Sequence, residues 1–473
     1  MKFFFYLVTS LCVSLQVHAQ IGIGTTAPDP SSILEVNSNE KGMLAPRMTT
    51  LQRDAIQNPA VGLLVYDTDA NLFYYFDGGS WIPLQGALVR DNYKLVKSIA
   101  DLSDELAAGG GSQYLLTSNY LYEINGIIDF DYPINTNGGY IKGEDYSDDI
   151  LVNNTGGALF VGGNSGSIRR LTVNGNGNPI FEIEGTGNEI FTSTNVNYFN
   201  ASSLGNIENI GVLYMDVSQF ANNYNGLELE SIGRLYLNVF EWSTSNTGTF
   251  LKLKGNYNNI QMAQGRVTAN TGEVGLDVSN NPTVVNSASI NATDFDGAGT
   301  LVKGYTTGSY PGFNFNNDWN VNANGIPTEI DAVATGNLYI TSSALTTISS
   351  VNMPVKVAGT TSGVHLFRAE QPTGISNRLI YKGKKERFFK YTATMSVSVG
   401  NGANGDTFNF YIYKNGSKLV ESKQTRKFSN SDIEAISISG IINLDTDDYI
   451  EVWVENMTNT DPITFDSLNL ILK

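Results

Sequence analysis

Cysteine and histidine are almost absent from this chain of 473 residues: the one thiol is Cys12, and the two imidazoles are His18 and His365. Most zinc sites and His-based catalytic triads therefore lack parts. A triad would have to use His365, beside Leu366 and Phe367, where an ordinary edge-strand histidine is the simpler reading. Charge is sparse and one-sided, with Lys+Arg 29 against Asp+Glu 46 and a net charge of -17. So anionic a surface repels phosphate backbones and acidic headgroups, which argues against a nucleic-acid partner. No apolar run is long enough to span a bilayer stably, and no transmembrane segment is expected.

What is present begins with Lys2, an apolar stretch from Phe3 to Leu15, and Val17-His18-Ala19 before Gln20. This reads as a secretory signal over 1–19, cleaved near Ala19, and predicts a secreted or cell-surface protein. A lipid anchor on Cys12 is the rival, but Thr9-Ser10-Leu11 lacks the small residue such sites place before the cysteine. Cleavage after Ala19 would remove Cys12 and His18, leaving no thiol and no disulfide, so stability must come from packing and assembly.

Residues 20–88 form the next segment. Thr50 can cap a short helix from Leu51 to Gln57, stopped by Pro59; Leu63 to Tyr66 and Leu72 to Phe76 read as strands, and Asp77-Gly78-Gly79-Ser80 as a turn before Trp81. A piece this small buries little surface alone and is expected to dock on a neighbouring domain or on copies of itself. Its bland role is a structural adaptor; direct ligand binding by Tyr74, Tyr75 and Trp81 is the sharper one. Ile21-Gly22-Ile23-Gly24-Thr25-Thr26, Lys41 to Thr50, Gln52 to Ile56 and Gly62 to Thr68 together resemble the N-terminal module of secreted Bacteroidetes surface proteins and tail-fibre-like proteins.

From 89 to 336 the chain is rich in Gly and Asn between short apolar runs. Ile210 to Val217 recurs about 22 positions later as Ile232 to Val239, and Leu227-Glu228-Leu229-Glu230 returns as Leu251-Lys252-Leu253-Lys254 and then Leu276-Asp277-Val278. Phe181 to Glu184 and Leu159 to Val161 are further candidates. A step of about 22 to 25 residues suits one rung of a right-handed parallel β-helix, with leucines inside and charges outside. Stacking would set Glu228 beside Lys252 and Glu230 beside Lys254. Ser98 to Leu106, halted by Gly109, reads as an N-terminal cap. Ser98 to Leu102, followed by Tyr122 to Asp129, resembles the entry of β-helical phage structural and tail-spike proteins.

From 337 to 473 the alternation lengthens: Ala393, Met395, Val397 and Val399; Phe408, Phe410 and Ile412; Ile450, Val452 and Val454; with a hairpin turn at Lys414-Asn415-Gly416-Ser417. Strands with polar turns imply a β-sandwich. Val355 to Thr361, Tyr413 to Gly416 and Asp448 to Val454 resemble the C-terminal module of those phage-type proteins, a jelly roll of the tumour necrosis factor kind, and the resemblance implies a homotrimer with binding as its role. The expected fold is thus all-β: a right-handed parallel β-helix, a C-terminal jelly-roll β-sandwich and a small α+β N-terminal module.

Basic residues concentrate between 363 and 427, with 12 Lys or Arg against 4 acids. Lys382, Lys384, Lys385, Arg387 and Lys390 could form a patch for acidic glycans or deter edge-to-edge pairing. Trp453, on one face with Glu451 and Glu455, suggests burial between subunits, with ligand binding by Trp453 as the rival reading. Two carboxylates held about 5 to 9.5 Å apart can cut polysaccharides; Asp294 and Asp296, with Asp318, are the candidate catalytic acids. Tyr305, Tyr310 and Trp319 nearby, with Phe313 and Phe315, are candidate sugar-stacking rings. Asp129, Asp131, Glu144, Asp145, Asp148 and Asp149 lack the fixed spacing of a calcium loop, so no metal is assigned, and no cofactor. Gly162-Gly163-Asn164-Ser165-Gly166 lacks the Lys of a phosphate loop. These readings describe a fibre- or adhesin-like structural protein binding a surface glycan or protein receptor through its head. A polysaccharide hydrolase or lyase and a passive filament subunit are the alternatives.

Overall fold

The computed structural model describes residues 20–84, 91–400, 405–428 and 432–473. The segment read as a secretion signal, with Cys12 and His18, lies outside them. The chain divides into two compact units, Met1–Asp91 and Asn92–Lys473.

In the first unit, Ile21–Ile23 and Leu34–Val36 pair in parallel. Arg47–Met48, Leu64–Asp67, Leu72–Phe76 and Trp81–Pro83 form a four-stranded sheet. The helix spans Thr50–Asp54 and is capped by Thr49, not Thr50, because Thr49 and Gln52 exchange side-chain and backbone bonds in a capping box. It ends before Gln57, and Asn58 is already left-handed at φ 46°. Arg53 is buried and its guanidinium donates to Asp67 at 2.9 Å. Burial alone would raise Asp67, but the Ala70 and Asp69 N–H groups, the Thr50 hydroxyl and Arg53 hold it below the usual carboxylate range. Little else is enclosed: Ile21, Ile23, Ile33, Leu34, Leu44, Leu51 and Val61 all stay exposed.

The second unit opens as a parallel β-solenoid. One sheet stacks nine short strands, from Tyr114–Leu115 to Thr300–Lys303; a thirteen-stranded sheet carries the longer ones. The leucine repeat sets the register: Leu227 faces Leu251, and Leu251 faces Leu276, each fully buried. A buried leucine contributes about 1.5–3 kcal/mol, so these columns supply much of the cohesion between rungs. Aromatic rings stack the same way, Phe160 on Phe181 at 5.5 Å and Tyr198 on Phe220 at 5.4 Å. Buried asparagines bind carbonyls of the preceding rung: Asn223 Nδ2 donates to Tyr198 O (2.9 Å), and Asn246 Nδ2 to Phe220 O (2.7 Å).

Each long strand is bent by a left-handed residue, and these residues stack in one column. Arg170, Asn195, Val217, Val239, Gln264 and Ala292 have φ of 55, 55, 51, 45, 55 and 49°. The flanking registers Thr194 to Asp216 and Asp216 to Asn238 place them one above another. The strands on either side can thus face the core in two directions.

The cap is a 3-10 turn, Ile99–Leu102, running into the helix Ser103–Ala108. Leu102 is in the core; Asp101 accepts from the N–H groups of Lys97 and Ser98 at 2.8 Å. Glu105, also buried, accepts from Lys94 Nζ (2.8 Å) and Tyr122 Oη (2.9 Å). Burial, with a smaller push from Glu105, raises Tyr122 to about 12.

The last solenoid strand is Trp319–Asn324. Two antiparallel sheets follow. The first orders Gly359–Phe367, Thr335–Ser343, Ile463–Leu472, Arg387–Val399 and Glu434–Leu444; the second orders Ala369–Glu370, Leu379–Tyr381, Tyr449–Asn456, Thr407–Lys414 and Ser417–Lys418. They enclose a core of Phe408, Phe410, Ile412, Ile450, Val452, Val454, Phe465 and Leu470. Lys414 pairs with Ser417 across Asn415 and Gly416, both at positive φ, as a two-residue hairpin requires.

Candidate functional site

Several of the residues singled out between 310 and 387 lie where the solenoid joins the sandwich and hold the two together, whereas Asp294, Asp296 and Tyr305 are engaged within the solenoid. Arg368, which follows the strand Gly359–Phe367, is 2% exposed and sits in left-handed backbone at φ 50°. Its guanidinium donates to Trp319 O (2.6 Å), to Glu329 O (2.9 Å) and to the Asp331 carboxylate. Lys384 Nζ reaches Asp318 Oδ1 at 2.5 Å, Arg387 donates to Asp331 O, and Asn317 Nδ2 donates to Lys382 O at 2.9 Å. Lys382 Nζ itself pairs with Asp447 at 2.5 Å. Lys385 is exposed, and its carbonyl accepts from Tyr381 Oη at 2.8 Å. Two cations of the basic run, Lys382 and Lys384, are thus paired within the molecule by acids that sequence distance had hidden, while Arg387 is held by a backbone carbonyl. Glu329 is buried beneath it; burial pushes its carboxyl up, against the pull of the Asn314 and Phe315 N–H groups at 2.7 and 2.9 Å.

The ring candidates are displaced from the surface. Trp319 is 1% exposed, and its Nε1 donates to Tyr305 Oη (2.8 Å), which donates to Pro282 O (2.6 Å). With Phe315 at 4.6 Å from Trp319, they form the solenoid's last aromatic layer, so neither Tyr305 nor Trp319 presents a face to a sugar. Burial raises the Tyr305 phenol to about 12. Tyr310 is half-buried, edge-on to Phe367 at 5.4 Å and bonded to Asn317 at 3.1 Å.

Asp294, Asp296 and Asp318 are not one catalytic group. Trp319 pairs with Ala288, whereas Asp294 pairs with Asn324. Asp318 and Asp294 therefore lie about 20 Å apart along the strand direction. Asp294 accepts from Asn324 Nδ2 at 2.6 Å, and Asp296 from Arg266 at 2.7 Å. Thr268, then Arg266, hold the Asp296 carboxyl below its usual range, opposite to what a general acid requires.

The remaining acids serve turns and rungs. Asp149 accepts from the N–H groups of Gly126, Glu144 and Asp145, and Asp131 from Tyr114 Oη. Among the described residues no group of three His, Cys, Asp or Glu side chains could hold a metal ion, and no helix is long and apolar enough to cross a membrane. Glu228 takes both lysines of the next rung, Lys252 at 3.0 Å and Lys254. The expected pairing of Glu230 with Lys254 is thereby replaced, because Lys254 leans across to the shared carboxylate.

The outer face of the strands Thr407–Lys414 and Tyr449–Asn456 was only partly legible. Trp453 stacks on Tyr413 at 4.3 Å and donates from Nε1 to Glu451 at 3.0 Å. Buried Glu451 also binds Lys356 (3.0 Å) and Arg378 (2.8 Å), while Glu455 accepts from Tyr411 Oη (2.6 Å) and Lys418 (3.1 Å). Arg378 lies 3.8 Å above the Tyr449 ring. In the first unit, Tyr74 is covered by Arg53 at 4.1 Å, and Trp81 packs on Phe76 at 5.5 Å.

Residues 22–100 match the family model of the phage tail like trimerisation region. The matched segment covers residues 22–91 of the first unit and ends within the solenoid cap. No curated protein matches the chain. Among solved structures, it is similar to murine APRIL at 11% identity and TM-score 0.21, over 29% of this chain and 98% of that one. It is similar to Geobacillus virus E2 ORF18 at 11% identity and TM-score 0.23, over 85% of this chain and 89% of that one.

Proposed function

We propose that this is a tail fibre- or spike-type structural protein that assembles as a homotrimer outside the cell and binds a surface glycan or receptor. The match of residues 22–100 to a trimerisation region carries the reading. The exposed Ile21, Ile23, Ile33, Leu34 and Leu44 support it, since a unit with so small a core gains most by burying such side chains against copies of itself. The two-sheet antiparallel sandwich after Thr335 is read as a jelly-roll head, and its ring-and-ion face around Trp453 and Tyr449 as the surface that meets the receptor. Light scattering coupled to size exclusion, on the full chain, is expected to give three times the chain mass. A monomer at micromolar concentration would overturn the assembly. A glycan array probed with the full chain, and repeated with Trp453→Ala, tests recognition by the head.

A further inference from the structure

We propose that the solenoid carries a second binding site, on the outer face of its long sheet, for an acidic glycan whose carboxylate or sulfate ester is held by Lys142, Arg169 and Arg170. The proposal rests on the glycan-binding reading above and adds a ligand class and a location.

A cleft of about 370 Å³ is lined by Lys142, Arg169, Arg170, Thr194 and Asn195. In a chain of net charge -17, three cations meeting at one place is a concentration that needs explaining. The fold makes it by stacking: Lys142 pairs with Arg169, and Arg169 with Thr194, on successive strands, so all three side chains leave the sheet on one side. Arg170 and Asn195 are the left-handed bend residues of their rungs, which turns both outward at the same edge. The lining thus offers two guanidinium groups, an ammonium, a hydroxyl and an amide, a donor set suited to a planar or tetrahedral oxyanion.

An internal carboxylate already shows what the cleft accepts. Glu144, on the turn after the strand Tyr140–Lys142, binds Lys142 and reaches Arg170 at 3.3 Å. Lys142 first, and Arg170 with it, keep the Glu144 carboxyl below its usual range. Arg169 is exposed, and no ion pair among the described residues engages it. Of the other acids nearby, Asp149 is committed to three backbone N–H groups, while Glu123, in register with Lys142 on the preceding strand, and Asp216, in register with Thr194 on the next rung, bound the cationic column at its two ends.

The same face carries the means to bind a sugar. Tyr214 and Tyr236 are in register and half-exposed, with ring centroids 6.4 Å apart. Asp216, Asn238 and Gln261 flank them, Gln261 Nε2 donating to Asn238 Oδ1 at 3.2 Å. Two rungs and two residues separate Arg169 from Tyr214, about 12 Å. An oligosaccharide running along the stacked strands would lay the apolar face of one ring on the tyrosines and place an acidic group in the cleft. A nucleic acid carries the same anionic chemistry at every residue and would meet the surrounding acids throughout its length, which favours the glycan.

Calorimetric titration of the full chain with an oligogalacturonate, a chondroitin sulfate oligosaccharide and a neutral cello-oligosaccharide tests the proposal. The acidic ligands are expected to bind more tightly than the neutral one, with affinity falling as salt rises. Arg169→Ala should weaken acidic binding about tenfold or more, the loss expected for a charge-assisted hydrogen bond. Tyr236→Ala should weaken both ligand types, and Glu144→Gln, which withdraws the internal competitor, should strengthen acidic binding. All three residues lie at the surface, and unchanged circular dichroism and light scattering would show that the variants fold and assemble. Failure of both acidic ligands to bind, or Arg169→Ala binding as wild type does, would overturn the site. Array binding confined to neutral glycans would overturn it while leaving the broader reading standing.

Discussion

Val217 and Val239 occupy backbone that β-branched residues avoid, at φ 51 and 45°, and each is 41% exposed. Left-handed backbone costs a non-glycine residue about 1–2 kcal/mol, and asparagine least among them. Replacing either valine by asparagine removes most of that strain, while loss of a half-covered isopropyl group costs about 0.5–1 kcal/mol. The net expectation is a gain of about 0.5–1 kcal/mol per site. Asn195, one rung earlier in the same column, shows that the amide fits there. The double variant should melt a few degrees higher, measured by calorimetry at one protein concentration, because assembly makes Tm concentration-dependent. Val212→Asn is the control: Val212 faces outward at the start of the same strand, outside the left-handed set, where asparagine only loses strand propensity. Val217→Asn and Val212→Asn moving Tm in the same direction would refute the strain argument.

Other consequences can be checked alongside. Asn246→Ala leaves the buried Asn223 N–H without its side-chain acceptor and takes the amide donor from the Phe220 carbonyl, which keeps only Ser243, and urea titration should show a loss of about 1–3 kcal/mol. Arg368→Met strips the buried guanidinium from Asp331 and from two carbonyls. Hydrogen exchange should rise selectively in Trp319–Asn324 and Gly359–Phe367, with a stability loss of about 3–5 kcal/mol. Burial alone would raise Glu189, but the Thr186 hydroxyl and nearby N–H groups prevail and lower it to about 2. A depressed carboxyl contributes stability above its unfolded value near 4.5 and loses it as pH falls toward 2, so Glu189→Gln should flatten the acid limb of the stability curve.

The sequence was most readable where one physical rule acts alone. The period of the leucine and phenylalanine runs led directly to the register Leu227, Leu251, Leu276, because only aligned rungs bury them all. The hairpin at Asn415 and Gly416 was equally plain. What was hidden depended on partners far along the chain. Lys382, Lys384 and Arg387 looked like free surface charge until the fold set the carboxylates of Asp447 and Asp318 against the two lysines and the Asp331 carbonyl against the arginine. Trp319 and Tyr305 were read as surface rings, since periodicity does not say which side of an irregular last rung faces inward. Arg368 left no trace, standing after an apolar run that suggested only a strand. The bend column was invisible for the opposite reason: Val217 and Val239 have the composition of a strand, and only stacking on Asn195 forces the left-handed turn there.

Because each rung touches only its neighbours, duplicating or deleting one whole repeat would shift the sandwich relative to the capped first rung by about 4.8 Å, leaving both ends intact. Anything in between would throw the bend column and the leucine columns out of phase. Length in this protein is therefore quantised: evolution, or an engineer, can tune how far the sandwich stands from the cap only in integral steps, and each added step must bring a residue willing to make the corner.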